Sequence, residues 1–353
     1  MSKDLTIALD AMGGDYAPDV VIEGAEIARE RYPDASFILF GRKQAVGGLL
    51  TARPALAAVT QVVHTQDVVQ AEDKPSQALR RGRESSMGLA IKAVADGQAQ
   101  VAVSAGNTGA LMALAKFVLR TMPGIDRPAL ASLFPTARGE SVMLDLGANI
   151  DCSEDNLVEF ALMGAAFART VLGLSRPTVA LLNVGVEELK GNETVKNAGQ
   201  RLKDAPLPMD FAGFVEGDGI GAGDVDVVVT DGFTGNVALK TAEGTARLIR
   251  SLLTNAFESS TMARVGYVFA RRGLESLKDH LDPNLHNGAV FLGLNGLVVK
   301  SHGGASALGF ATAIGTAIDM ARHDLCQLIG HDLKNFSGSQ EPGEPSAAMA
   351  GKT

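Results

Sequence analysis

Six times along this chain a short, solidly apolar run ends in a turn of Gly, Asn, Ser or Asp, and a helix-like segment follows. The copies are centred on Ile7–Asp15, Val101–Gly109, Val142–Asn149, Leu181–Gly185, Val227–Asn236 and Val298–Gly304. Unbroken apolar runs, unlike alternating ones, mark strands buried on both faces, and alternation with helices predicts a mostly parallel sheet between helical layers. In open α/β sheets ligands bind in the crevice at the carboxyl ends of the strands. Helix N-termini there offer unpaired N–H groups and a positive dipole end, and small residues let an anion come close. These turns therefore predict one rim built for a phosphate-bearing ligand.

Strands are expected near residues 5–10, 36–40, 61–64, 101–104, 129–134, 141–145, 178–183, 209–214, 226–230 and 290–300. Helices are expected over 18–31, 85–95, 108–120, 154–172, 194–203, 236–257, 265–280 and 305–329. Pro18 with Asp19 and Glu23 suits a helix start, and Asp151 three residues before Glu154 resembles a capping box. The alternation has no linker, so residues 1–334 read as one α/β unit with a helical hairpin at about 245–282. The sequence from 335 to 353 is rich in Gly, Pro, Ser and Glu, cannot bury much apolar surface, and reads as a disordered tail.

Several function classes are disfavoured. No apolar stretch reaches the ~18–20 residues a membrane span needs, and Met1-Ser2-Lys3-Asp4 leads into a strand with no signal peptide expected. Two cysteines, Cys152 and Cys326, in 353 residues fit a reducing cytoplasm and not a disulfide scaffold or zinc site. A net charge of −8 argues against a general nucleic-acid binder.

The turns carry the candidate chemistry. Asn107 can cap a helix while Thr108 and Gly109 leave N–H groups open to an anion; an ordinary capped βα turn explains the same residues equally well. The turn lacks the Gly-Lys-Ser/Thr of a Walker loop and the G-x-G-x-x-G fingerprint. Asn236 and Lys240, at i and i+4, share a helix face beside Asp231–Gly235 and form the stronger anion signal. Asn183 and Lys190 lie on a polar loop that reads equally as solvated. His302, in Ser301-His302-Gly303-Gly304, is the one histidine in a Gly-rich strand-end setting, suited to stabilising an oxyanion or moving a proton. Cys152 lacks a partner base in the sequence, and Asp10 and Asp15 read as turn residues in preference to metal ligands; no metal and no cofactor is expected.

Residues 247–281 differ from the rest. Arg247, Arg250, Arg264, Arg271, Arg272 and Lys278 outnumber Glu258, Glu275 and Asp279, giving +3 in an acidic chain. Leu252, Leu253, Phe257, Val265, Val268 and Phe269 recur at helical spacing among them. A hairpin of this kind suits an anionic membrane surface, an acyl chain, or helix packing in an oligomer.

Ala8–Pro18, Ser104–Ala110, Arg127–Ala131 and Asp145–Asn149 resemble motifs of the PlsX family, the acyl-ACP:phosphate acyltransferases. So do Gly213–Gly217, Asp231–Asn236 and Gly293–Gly303. The resemblance is collinear from about 5 to 325 and departs at Asn287-Gly288-Ala289 and Gly304. It implies a three-layer α/β/α Rossmann-like fold related to the phosphate acetyltransferases and the isocitrate/isopropylmalate dehydrogenases. It implies a homodimer, cytoplasmic and peripherally membrane-bound, that moves a long-chain acyl group from acyl-ACP to inorganic phosphate. The acyl phosphate would feed a membrane glycerol-3-phosphate acyltransferase in phospholipid synthesis.

Phosphate is already substantially dianionic at neutral pH, and a thiol with a pKa of ~8.5 makes a moderate leaving group, so no covalent acyl-enzyme is needed. The expected task is to hold two anionic reactants together and stabilise the tetrahedral oxyanion. Asn107, Thr108, Gly109, Asn236 and Lys240 are expected to bind phosphate; His302, Lys190 and Asn183 are expected to serve the oxyanion or leaving sulfur. The alternatives are an acyl-CoA-dependent enzyme resembling phosphate acetyltransferase, an NAD-dependent dehydrogenase of related architecture, and a non-catalytic membrane scaffold.

Overall fold

Within Leu5–Asp10, the first strand, Ile7 and Leu9 turn into one hydrophobic core and Ala8 into another. The same division runs through the sheet: Phe37, Leu39, Val101 and Val103 join the first core, Ile38, Phe40 and Ala102 the second. Strand residues alternate faces, so two cores require helices on both sides of the sheet. The computed structural model, which describes residues 5–203, 207–280, 282 and 284–340, has this three-layer arrangement.

The strands are β1 Leu5–Asp10, β2 Ala35–Gly41, β3 Thr60–His64, β4 Val101–Ser104, β5 Ala129–Thr136, β6 Gly139–Leu144, β7 Thr178–Leu182, β8 Asp210–Val215, β9 Val227–Val229, β10 Ala289–Leu292 and β11 Leu297–Lys300. The helices are α1 Asp19–Arg31, α2 Lys43–Thr51, α3 Pro54–Ala58, α4 Pro75–Arg81, α5 Ser86–Ala95, α6 Thr108–Leu119, α7 Glu154–Val171, α8 Glu193–Lys203, α9 Gly217–Ala222, α10 Gly232–Glu258, α11 Thr261–His280, α12 Ala307–Arg322 and α13 Leu325–Gln340. Residues of α1, α7 and α12 fill the first core, and residues of α5 and α6 the second.

The sheet order is β3-β2-β1-β4-β11-β10-β5-β6-β9-β7-β8. The strands from β3 to β11 are parallel, β10 is antiparallel to both its neighbours, and β5 is antiparallel to β6. The last four strands are parallel to one another but run opposite to the first group. This corrects the expectation of a single rim. The carboxyl ends of β1, β4 and β11 lie on one edge, and those of β6, β7 and β9 on the other. Strand direction depends on long connections, which local apolar runs do not encode.

Other expectations shift locally. The run 290–300 is two antiparallel strands, because Gly293, with φ +86°, turns the chain between them. The helix expected over 305–329 is two, broken where Asp324 takes φ +48°. Ser153, and not Asp151, caps α7, accepting from the Asn156 amide while the Asn156 side chain answers in a capping box. Helix α13 carries the fold to Gln340, past the residue 335 where a tail was expected, and residues 341–353 lie outside the described region.

The expected hairpin is longer at its root. Helix α10 has 27 residues, about 40 Å of helix, and its only buried residues are Gly232 and Gly235. A Cβ on Gly235 would sit 1.9 Å from the Asp145 carbonyl oxygen, and one on Gly232 2.6 Å from that of Asn149. These glycines let the first turn dock onto the 145–149 loop. Beyond it, Phe257 and Tyr267 meet edge to face across α10 and α11, with ring centroids 5.5 Å apart.

Candidate active site

Three strand-end turns are knitted together at the β1, β4 and β11 edge. The buried carboxylate of Asp10 accepts from Ser104 Oγ at 2.7 Å and from the Met12 amide at 3.2 Å. Ser104 Oγ in turn accepts from the Gly106 amide at 3.0 Å. The Asp15 amide donates to the Gly303 carbonyl at 2.9 Å, and the Ser301 amide to that of Ser104 at 2.9 Å. Gly13 is required here, since its Cβ would stand 2.4 Å from Asp10 Oδ2 and 2.8 Å from the Gly106 nitrogen. Burial pushes the Asp10 carboxyl above its ordinary value, against the hydrogen bonds of Ser86 and Ser104.

Into this junction projects Lys300, the last residue of β11. Its ammonium donates to the carbonyls of Ala105, at 3.3 Å, and Ser301. Burial lowers its pKa to about 8, although Asp15 and Asp10 pull the other way and Lys240 reinforces the fall. Lys300 carries little signal in the sequence, because a lysine ending a strand reads as a solvated charge; its place beside His302 is the one mark.

His302 follows directly. The Asn287 side chain accepts from its backbone amide at 3.0 Å, and the Gly304 amide donates to Nδ1 at 3.1 Å. Its pKa is lowered by the protein packed around the ring and by the charges of Lys240 and Lys300. The ring thus favours the neutral imidazole with its proton on Nε2, free to act as a donor.

The 104–109 turn completes the edge. Asn107 caps α6 by accepting from the Ala110 amide at 2.9 Å, and its Nδ2 donates to the Ala71 and Asp73 carbonyls. The Asn107 side chain is therefore committed to the scaffold. The N–H groups of Thr108 and Gly109, at the first two positions of α6, find no acceptor among the described residues.

Helix α10 links the two edges. It starts at Gly232 under an Asp231 cap, which accepts from the Thr234 amide at 2.8 Å and the Thr234 hydroxyl at 2.9 Å. The expected start at Asn236 is corrected: Asn236 lies in the second turn, its own N–H inside the helix, against Gly147 of the 145–149 loop. The Gly-Phe-Thr-Gly sequence reads as a turn, but its glycines serve close packing. Lys240, another turn on, carries its charge to Lys300 and His302 and pairs with Glu243 at 3.0 Å.

The remaining candidates lie at the other edge. Asn183 spends its Nδ2 on the carbonyls of Gly185 and Lys190, both at 3.1 Å, bracing the loop that carries Lys190. No contact joins Asn183 or Lys190 to the His302 group among the described residues. At the same edge Asp145 is fully buried and accepts from the amides of Leu130 (2.9 Å), Ala148 (3.0 Å) and Asn149 (2.7 Å) and from Asn149 Nδ2 (2.8 Å). Burial, then the charges of Asp145 and Asp231, drive the half-buried Cys152 thiol up to about 12, which keeps it protonated and poorly nucleophilic. Among the described residues there is no cluster of metal-ligating side chains, and no helix is long and apolar enough to cross a membrane. On the hairpin, Leu252, Val265, Val268 and Phe269 are exposed, Phe269 to 87%, while Leu253 and Phe257 are partly covered.

Comparison with known proteins agrees with this architecture. Solved phosphotransacetylases share the fold: that of Streptococcus pyogenes superposes with a TM-score of 0.59 at 18% identity, covering 92% of this chain and 95% of its own. The Staphylococcus aureus enzyme gives 0.57 at 17%, covering 90% and 94%. Proteins named phosphate acyltransferase are far more similar in sequence. The one from Parvibaculum lavamentivorans is 58% identical over 339 residues, 96% of this chain and 94% of that protein. The one from Rhodospirillum rubrum is 56% identical over 333 residues, 94% and 95% respectively. A family model described as fatty acid synthesis protein matches residues 5–328. The chain accordingly belongs to the PlsX family of fatty acid synthesis proteins.

Proposed function

We propose that the protein transfers a long-chain acyl group from acyl-ACP to inorganic phosphate, giving an acyl phosphate for phosphatidic acid synthesis. The observation that carries this reading is the convergence of His302, Lys300 and Lys240, with Lys300 bonded to Ala105 of the turn in which the N–H groups of Thr108 and Gly109 have no acceptor among the described residues. Amides at a helix N-terminus and two ammonium groups suit a phosphate dianion. A neutral imidazole with an Nε2 proton suits the oxyanion that forms on the thioester carbon.

In this mechanism a phosphate oxygen attacks the thioester carbonyl and forms the new C–O bond. The tetrahedral oxyanion is held by His302 and the C–S bond breaks. The sulfur leaves as thiolate and ends as the ACP thiol, with the proton that hydrogen phosphate gives up. Lys300 and Lys240 offset the negative charge of the two reactants, and neither a cofactor nor a metal enters the scheme. Asn236 lies on the α10 face that leads to Lys240, while Asn107 holds the turn and its amides supply the contacts. Lys190 and Asn183 belong to the other edge, where Lys190 would meet the ligand only from a distance or across the interface of the homodimer we also propose. The exposed apolar side of the hairpin, with Leu252, Val265, Val268 and Phe269, is suited to an anionic bilayer. There a cytoplasmic, peripherally bound enzyme would hand acyl phosphate to a glycerol-3-phosphate acyltransferase.

The test is the phosphate-dependent release of free ACP thiol from a long-chain acyl-ACP. Release with acyl-CoA but not with acyl-ACP would replace the donor. No release from either would end the reading.

A further inference from the structure

Helices α4 and α6 lie side by side and run the same way. Pro75, at the start of α4, covers Gly109 at the start of α6; Gly82, just after α4, packs near Leu114; and the Arg83 guanidinium lies 4.3 Å from the centre of the Phe117 ring. This pair flanks the phosphate-binding turn directly, since Asn107 Nδ2 holds the Ala71 and Asp73 carbonyls just before α4.

The outward face of the pair is basic. Residues 74–83 contain Lys74, Arg80, Arg81 and Arg83 and no acidic residue, in a chain of net charge −8, with Glu72, Asp73 and Glu84 bordering the stretch. Lys116 and Arg120 add two cations along α6 and at its end. All six are exposed, and none is in an ion pair with a carboxylate among the described residues. On the hairpin Arg247 and Arg271 are each paired with a glutamate, while Arg250, Arg264 and Arg272 are in no ion pair among the described residues. Phe117, 51% exposed, gives the basic face an apolar centre. At 1.5 Å per residue, Lys116 stands about 14 Å along the helix axis from Asn107.

From this juxtaposition we infer that the α4–α6 face is the docking surface for the acidic carrier protein that brings the acyl thioester. The inference rests on the donor reading above. Charge complementarity selects an acidic partner. The position favours a carrier over a membrane. A carrier seated on this face can reach over the N-terminus of α6 with its flexible thioester arm, whereas the apolar side chains suited to lipid project on the hairpin. Like-charge residues placed in the patch would repel the carrier and leave the chemistry intact.

The test is the double variant Arg80→Glu/Arg81→Glu, with two acyl donors and one direct binding measurement. With a long-chain acyl-ACP, KM is expected to rise roughly tenfold or more with kcat nearly unchanged. With the same acyl group on pantetheine, the rate is expected to match the parent. Anisotropy of fluorescently labelled ACP should show the same loss of binding, and the parent's affinity should fall with added salt. Unchanged KM and binding in the variant, with a parent that uses acyl-ACP, would overturn the docking face alone. A parent that binds ACP but transfers nothing from acyl-ACP would sink the donor reading and keep the face; a parent that does neither would end both. Loss of binding to anionic vesicles with ACP binding retained would reassign the patch to lipid.

Discussion

The Gly304 amide donates to His302 Nδ1 across 3.1 Å and so sets which ring nitrogen bears the proton. Protonating this imidazole would put a second N–H against that amide, beside Lys240 and Lys300. The neutral form is therefore favoured to a pH below the ordinary value of 6.5. Turnover is expected to hold steady through neutrality and to fall on the acid side with a midpoint under 6.5. His302→Ala should lower kcat about 10²-fold with the fold intact, the usual loss for one oxyanion donor. A rate profile with full activity in the variant would remove the assignment.

Lys300 sets the opposite limb. Its pKa of about 8 means the positive charge is lost as pH rises through that value. Activity should decline on the alkaline side near pH 8. In Lys300→Met that limb should disappear, and the acid limb should move up, because one of the charges that depresses His302 is gone. Initial rates from pH 5 to 9.5 on both proteins check the pair of shifts.

Cys152→Ala is expected to keep at least about half the parent rate. The thiol is held near 12 and bonds only weakly to the Asn149 carbonyl at 3.7 Å. An inactive but folded variant would revive a covalent route.

Asp145 is a structural group, and its removal should register in stability. Asp145→Ala leaves three buried donors and the half-buried Ala148 amide without their acceptor in the loop on which α10 rests. Losses of about 1–3 kcal/mol per orphaned buried group, partly relieved by relaxation and water, predict about 3 kcal/mol or more overall. Thermal melts report it directly, and a shift of under 1 °C would count against the role.

For the hairpin, flotation with anionic vesicles at low salt should carry the parent protein upward. Val268→Asp/Phe269→Asp should reduce the floated fraction severalfold without moving the melting temperature, since these side chains are 68% and 87% exposed. Failure of the parent to float at low salt would remove the membrane contact.

The layers and most strands were legible because buried runs such as Ile7–Leu9 and Val227–Val229 have little alternative to a sheet covered on both faces. Short helices such as α3 and α9, with five and six residues, carry too few turns to show a period. The opposed directions of the two halves were not legible, since they arise from which distant segments pair. The same limit applies to the site. His302 stood out by its glycines, but the partners of Lys300 become visible only when β11 lies beside β4. Asn107 and Asn183 looked like ligand contacts because an amide at a strand end suits either role; in the fold both are tied to neighbouring carbonyls. Asn236 reads as a helix start because no sequence signal tells that Gly232 and Gly235 are there to be approached.

Those two glycines clamp α10 at its root, Ala238 and Leu239 pack against the core beside them, and no residue of the helix beyond Gly235 is buried. Measured from Gly235, Lys240 stands about 7.5 Å out and Glu258 about 35 Å. If the helix swings on that pivot, the amine travels only about a fifth as far as the far end. A tip displaced by about 5 Å would thus move the amine by about 1 Å, so contacts made far out on the hairpin would reach its base reduced about fivefold.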